Sequence, residues 1–347
     1  MPVTSTDHHR VLKLRAPGRL HLGFLDPAGT LGRRFGSLGL VIDGIETEVE
    51  LSAATADEVV AADAAAQVEI ERATRYLKLL REHTGLQTPL RLQLTRVLPP
   101  HAGFGSGTQL ALAIGRVFAH WHGLELSSVT LAHWLARGLR SGIGIAGFEQ
   151  GGLLVDGGPG ADGMPAPLLS RIAFPTAWRV VVVQDERHRG LSGTQEKQAI
   201  ATLEPLPQSL SADICHQVLM RVLPGAASGE FAPFAAGINR VQQLLGKHFA
   251  PAQGGVYTSA AVGRAVQFIA DAGRELRGAD KSLEHGAAIG QSSWGPTAFA
   301  ILPSQSSAEA AVHSLRAAGL LEPGLTVSIV TGLNRGAVLS EHAHEPH

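Results

Sequence analysis

Residues 99–113 read PPHAGFGSGTQLALA, with Gly103, Gly105 and Gly107 interleaved with Ser106 and Thr108 at the head of an apolar repeat. The glycines permit positive φ and close backbone approach, while Leu110, Ile114, Val117, Phe118 and Trp121 recur at the spacing of one buried helix face. The loop therefore lies against a helix N-terminus, whose unpaired N–H groups and positive dipole end attract an anion. A glycine-rich turn that only caps the helix is the alternative. Without a lysine after its last glycine, GFGSGT is not a Walker-type P-loop. Phe104 and Thr108 flank Ser106 where a nucleophile elbow needs glycine. Gly142–Gly147 (GIGIAG) fits G-x-G-x-x-G but follows an expected helix and leads into GGLLVDGG, the reverse of a dinucleotide fingerprint.

At 347 residues the chain exceeds a usual single core, and its 44% hydrophobic content can fill two. A net charge of −1, from 29 Lys+Arg against 30 Asp+Glu, offers no broad basic face for nucleic acid or an anionic membrane and points to small-molecule partners. The single cysteine, Cys215, excludes an intrachain disulfide framework and is read as a buried packing residue in a reducing compartment. MPVTSTDHHR lacks the order of a signal peptide, and no apolar run is long enough for a membrane span, so the expected location is cytoplasmic. His8, His9, His342, His344 and His347 sit in polar termini and are read as disordered chain ends, not metal ligands.

Alternation predicts strands over Thr47–Leu51 and Leu90–Leu94. Between them Gln67–His83 reads as a helix with Val68, Tyr76, Leu77 and Leu80 inward and Gly85 as its stop. Val129–Leu139 reads as a further helix and Gly151–Val155 as a short buried strand. The Gly- and Pro-rich segment Asp156–Pro167 is expected to be a linker or large loop at a domain boundary, dividing the chain into residues 1–165 and 166–347. The second part opens on a buried strand at Arg179–Val183. It closes on a strand–helix–strand unit: Thr297–Leu302, Ser307–Ala318 and Leu325–Val330.

Three segments together resemble the GHMP kinase superfamily: Ala16–Asp26 (APGRLHLGFLD), the 99–113 loop, and Gly290–Ala300 (GQSSWGPTAFA). The resemblance implies an α+β fold, a ribosomal-protein-S5-like domain that binds phosphate or pyrophosphate followed by a ferredoxin-like domain. Superfamily kinases commonly carry Ser-Gly-x-Asp, the Asp positioning the substrate hydroxyl, whereas Ser141, Gly142 and Ile143 are followed here by Gly144. With GSGTQ in the loop, GFEQGGLLVDGG and SSWGPT, the chain looks like the β-ribofuranosylaminobenzene 5′-phosphate synthase family. That family joins phosphoribosyl pyrophosphate to 4-aminobenzoate or 4-hydroxybenzoate with loss of CO2 and pyrophosphate, toward tetrahydromethanopterin-type carriers. An ATP-dependent small-molecule kinase is the alternative. The resemblance also implies Mg²⁺, no organic cofactor and a homodimer.

Arg19 and His21 alternate on the first strand, where Arg19 is expected to clamp a phosphate and His21 to donate to substrate; an ion pair or a satisfied buried histidine is the other reading. Gly103 through Thr108 with Gln109 form the pyrophosphate cradle, and the Ser106 and Thr108 hydroxyls contact Mg²⁺ or merely satisfy the helix start. Glu149 and Asp156 are candidate catalytic or Mg²⁺-facing carboxylates. Asp185 and Arg187, with Arg189, are candidates for substrate phosphate or carboxylate, or else an exposed charged turn. Ser292, Ser293, Trp294 and Gly295 are placed at the aromatic substrate, with the indole stacking on its ring or filling the core.

Overall fold

The computed structural model describes residues 10–190, 193–275 and 286–343. Two long strands, β1 (Arg10–Asp26) and β2 (Phe35–Ala53), pair antiparallel from Val11↔Ser52 to Asp26↔Phe35, with register shifts at Pro17/Arg19 and His21/Gly23. Between the shifts, Leu20 and Leu22 point into the core while Arg19 and His21 take the opposite face, the period-2 consequence of a strand. β3 (Glu58–Ala61) pairs parallel with β4 (Leu90–Arg96), and α1 (Ala64–Gln67) and α2 (Ile70–Thr84) connect them. β2 pairs β4 along its second half and β5 (Leu153–Asp156) along its first.

On this sheet pack α3 (Ser106–Trp121), α4 (Ser128–Trp134) and α5 (Ile143–Gln150). The α3 face read from sequence is buried: Leu110, Ile114, Val117 and Phe118 join Leu12, Leu14, Leu51 and Leu92 in one cluster. Two helix expectations need correction. The helix expected from Gln67 begins at Ile70 because Asp63 caps the separate turn α1 by accepting from the Ala66 amide at 2.7 Å, which leaves Val68 63% exposed. The helix expected to reach Leu139 ends at Trp134, where Ala136 (φ 52°) and Gly138 (φ 77°) reverse the chain.

The second sheet is built from β7 (Arg179–Asp185), β8 (Ala288–Gln291), β9 (Thr297–Leu302) and β10 (Leu325–Val330), in the order β10-β7-β9-β8 and antiparallel throughout. Helices α6 (Gly193–Thr202), α7 (Gln208–Gln217), α8 (Leu223–Ser228), α9 (Phe231–Gln253) and α10 (Ala260–Glu275) lie between β7 and β8, and α11 (Gln305–Ala317) joins β9 to β10. The resulting β-α-β-β-α-β arrangement is ferredoxin-like, as expected. The closing strand–helix–strand unit matches its expected bounds within two residues, fixed at the helix start by the Ser304 side chain accepting from the Ser307 amide.

The segment Asp156–Pro167 takes the second of its two expected forms, a large loop. It joins β5 to β6 (Leu168–Ile172) as neighbouring antiparallel strands, with the Gly157 amide bonding the Pro167 carbonyl at 3.0 Å. With β11 (Val338–Ala343), which pairs β1, β6 brings residues beyond 165 into the first sheet. One apolar cluster runs through both sheets, from Leu20, Leu40 and Val155 to Trp178, Val180, Phe234 and Phe299. Cys215 is half-buried. His342 lies on β11, paired to Val11, not in a disordered end; His8, His9, His344 and His347 fall outside the described residues. Among the described residues no helix is long and apolar enough to cross a membrane.

Candidate active site

The glycine loop holds α3 by its N-terminus. Gly105 caps the helix with φ 80° and Gly103 stands at φ 97°, conformations that favour glycine. The loop opens on a cleft of about 890 Å³ lined by Gly103, Gly105, Ser106, Gly107 and Thr108. Six arginines face the same space: Arg19, Arg34, Arg72, Arg75, Arg137 and Arg140. No carboxylate shares the lining among the described residues. A Cβ on Gly107 would sit 3.1 Å from Arg137 Nη2 and 3.7 Å from Arg72 Nη1, so guanidinium groups flank the helix start. Cationic charge, oriented amides and hydroxyls converge on one point, the chemistry of a polyphosphate site.

Sequence reasoning found the loop but missed Arg34, Arg72, Arg75, Arg137 and Arg140. They come from the β1–β2 turn, α2 and the α4–α5 connection, and no spacing in the sequence groups them. His101 (φ 59°) also faces the cleft; burial, then the charges of Arg72 and Arg189, lowers its pKa.

Arg19 and His21 do share the cleft. The Arg19 guanidinium donates to the Gly103 carbonyl at 2.7 Å, and its amide bonds the Phe104 carbonyl at 3.1 Å, so the residue also props the loop. His21 is 3% exposed, packs edge-on against Phe24 at 4.6 Å, and neither ring nitrogen finds a hydrogen-bond partner on another residue. Burial, reinforced by the positive charges of Arg19 and Arg140, pushes its pKa down to about 3. The imidazole is neutral at physiological pH, with one donor and one acceptor nitrogen.

The third motif is clamped onto the loop. Ser292 Oγ accepts from the His21 amide at 2.9 Å and donates to the Gly103 carbonyl at 2.7 Å, while a Cβ on Gly103 would meet the Ser292 carbonyl at 2.6 Å. Gly295 approaches the Ala102 carbonyl so closely that no side chain fits. Ser292 and Gly295 are thus braces, and their hydroxyl and backbone are spent on the loop. Ser293, with φ 54°, faces the cleft. Trp294 is 3% exposed and packs on Phe249 at 4.6 Å, in the wall of a smaller cavity that adjoins the cleft through His21, Phe24 and Ser293.

The other expected residues lie elsewhere. Gln109 is buried and donates to the Gly144 carbonyl at 2.9 Å, joining α3 to α5 and not reaching the cleft. Glu149 pairs with Arg116 at 2.6 Å and bonds the Ser128 hydroxyl, on the outer side of α3 and α4. Asp156 is fully buried and accepts from the amides of Gly142 (2.8 Å) and Gly158 (2.8 Å) and from Ser141. Burial raises its pKa against those bonds. Asp185 is held low by Arg187 at 2.8 Å, and it also binds Ser259 at 2.7 Å beneath the third motif. Arg187 turns outward to Asp185 and Glu322. Each of these charges finds a partner close in space, and none of them is among the residues that line the arginine cleft.

Gly144, where a kinase-type aspartate is absent, faces Thr108: a Cβ there would sit 3.0 Å from the Thr108 methyl. A divalent cation prefers oxygen ligands, and among the described cleft residues only hydroxyls such as Ser106, Thr108 and Ser293 offer them as side chains. The residues therefore fit a cation carried in largely by a polyphosphate, not one caged by protein carboxylates; no cluster of metal-binding side chains occurs among the described residues.

The GHMP kinases N terminal domain family matches residues 71–152 and the GHMP kinases C terminal family residues 263–320. The homoserine kinase of Cytophaga hutchinsonii superposes with a TM-score of 0.63 at 16% identity, over 98% of this chain and 100% of that one. Mevalonate diphosphate decarboxylase from Staphylococcus aureus gives 0.66 at 12%, over 97% and 100%. These likenesses concern the fold. The beta-ribofuranosylphenol 5'-phosphate synthase of Methanothermobacter thermautotrophicus is 31% identical over 247 residues, 67% of this chain and 75% of the relative. That of Methanocaldococcus jannaschii is 28% identical over 263 residues, 67% of this chain and 76% of the relative. With its phosphate-type loop, its arginine-lined cleft and the glycine at 144, this chain belongs to the beta-ribofuranosylphenol 5'-phosphate synthase family, built on the GHMP kinase scaffold.

Proposed function

We propose that the chain is a decarboxylating phosphoribosyltransferase that joins C1 of phosphoribosyl pyrophosphate to the carboxyl-bearing ring carbon of 4-hydroxybenzoate or 4-aminobenzoate. The observation that carries this is the cleft itself: a glycine loop and helix N-terminus with, among the described residues, six arginines in the lining and no carboxylate to act as base. Family membership supports it.

The α3 amides, Ser106 and the flanking Arg72 and Arg137 hold the pyrophosphate, whose charge grows as the C1–O bond breaks and its electron pair leaves with oxygen. The ribosyl carbon, left with oxocarbenium character, is attacked by the ring carbon bearing the carboxylate, which the para hydroxyl or amino group makes electron-rich. The bond to the carboxyl carbon then breaks, its electron pair restores the aromatic ring, and CO2 departs. Mg²⁺, bound by the pyrophosphate and the Ser106 and Thr108 hydroxyls, would supply further charge neutralisation. No organic cofactor is needed. The reading includes a homodimer in the cytoplasm, which suits the single cysteine.

An ATP-dependent kinase on this scaffold is disfavoured by Gly144 and by the burial or pairing of Asp156, Glu149 and Asp185 away from the cleft. The test is incubation with Mg²⁺, phosphoribosyl pyrophosphate and carboxyl-labelled 4-hydroxybenzoate or 4-aminobenzoate. Equimolar CO2 and pyrophosphate are expected. Release of neither, with ADP formed from ATP and a small alcohol, would replace this reading with the kinase.

A further inference from the structure

His21 is the one polar side chain of β1 that lines both the arginine cleft and the smaller cavity behind it, and neither of its ring nitrogens is bonded to another residue. Phe24 and Ser293 share both linings with it. The smaller cavity is walled by Phe24, Leu245, Phe249 and Trp294, surfaces suited to an aromatic ring. Its glutamines are already engaged: Gln242 bonds the Leu22 carbonyl, Gln253 the Val256 carbonyl, and Gln291 the Ser293 carbonyl. The Ser293 hydroxyl also reaches the junction, but the imidazole, more than nine-tenths buried and without a partner on another residue, is the buried polar group there whose hydrogen bonds remain to be made by a ligand.

Size sets the orientation. The small cavity holds about 40 Å³, against roughly 150 Å³ for an apolar cavity that takes up a whole benzene. It accommodates one edge of a ring, and the rest must project past His21 into the cleft. The projecting end has to be the carboxylated one, because that carbon is to be joined to a ribosyl group held by the arginines.

We propose, resting on the reading above, that His21 positions the aromatic acceptor by donating one ring N–H to its carboxylate, while the para group lies toward Phe249 and Trp294. A neutral donor suits this step. It orients the carboxylate without adding a fixed positive charge that would oppose departure as CO2, and the charged work is left to the arginines. His21 is thus a specificity-determining contact for the carboxylate.

The experiment compares wild type, His21→Phe and His21→Gln, measuring the Michaelis constants for the hydroxybenzoate and for phosphoribosyl pyrophosphate, and calorimetric dissociation constants for benzoate and phenol. Losing a hydrogen bond to a charged group should weaken binding of the hydroxybenzoate and of benzoate by about tenfold or more in His21→Phe. Phenol, without a carboxylate, and phosphoribosyl pyrophosphate should be unchanged, and His21→Gln, which keeps an N–H donor, should retain most of the benzoate affinity. Phenol weakened with benzoate unaffected would place His21 at the para end and overturn the proposal. Equal weakening of every ligand would reduce His21 to a packing residue and overturn it as well. A wild type that releases no CO2 defeats the functional reading instead, while the benzoate and phenol affinities still decide whether His21 recognises a carboxylate.

Discussion

His21 is held uncharged among guanidinium groups, and this costs the fold stability as the pH falls. The unfolded imidazole takes up its proton near 6.5 and the folded one only near 3, so the unfolded state binds more protons throughout that window. Stability present above pH 6.5 is lost on acidification at about 1.4 kcal/mol for each pH unit, or about 2 kcal/mol by pH 5. The melting temperature of wild type should therefore fall further between pH 7 and pH 5 than that of His21→Gln; equal falls would mean that His21 is not the titrating group. At Gly103 the positive φ and the nearby Ser292 carbonyl, 2.6 Å from where a Cβ would sit, leave no room for alanine. Gly103→Ala should destabilise by roughly 1–3 kcal/mol and raise the KM for phosphoribosyl pyrophosphate, which urea unfolding and kinetics would measure. The glycines were legible in sequence because their conformational need is local. The role of Ser292 as a brace was not, since its partners, Gly103 and His21, lie far away along the chain.

At the scale of elements, α2 and the α4–α5 connection matter for what they carry to the mouth of α3. Arg137 lies beside Gly107 at the helix start, and its removal should raise the KM for phosphoribosyl pyrophosphate by about tenfold to a hundredfold, the worth of a charge-assisted bond. Arg137→Lys should not restore it, because an ammonium lacks the planar fork. An unchanged KM in Arg137→Ala would remove Arg137 from the site. Where α5 meets α3, Gly144→Asp would force a side chain against Thr108, 3.0 Å from the new Cβ. The expected result is loss of synthase turnover with a cost of about 1–3 kcal/mol and no gain of ATP consumption; ADP formation by this variant would show that the kinase geometry survives. Helix periodicity exposed the apolar face of α3 and the closing strand–helix–strand unit, but it gave no sign of where the polar faces of α2 and α4 would meet.

Across the whole molecule the two sheets share one apolar cluster, with Trp178 packed against Phe174, Phe231 and Phe234 between them. Calorimetry should accordingly show a single cooperative transition, and Trp178→Ala, costing about 3–5 kcal/mol, should shift all of it downward. Two separate transitions, only one of them moved, would mean that the halves unfold independently. Local sequence sufficed for the features that depend on neighbours along the chain. These are the anion-ready loop before α3, the alternation that sends Leu20 and Leu22 inward and Arg19 and His21 to the cleft, and the strand–helix–strand ending. Which charges are available for chemistry emerged only once the chain was folded. Folding gathered arginines from separate elements around the loop, withdrew Glu149, Asp156 and Asp185 into internal bonds, and made Asp156–Pro167 a loop between paired strands. The difference arises because a charge takes its partner by distance through space and a strand takes its partner by hydrogen bonding to a distant one, and neither separation is encoded in local spacing.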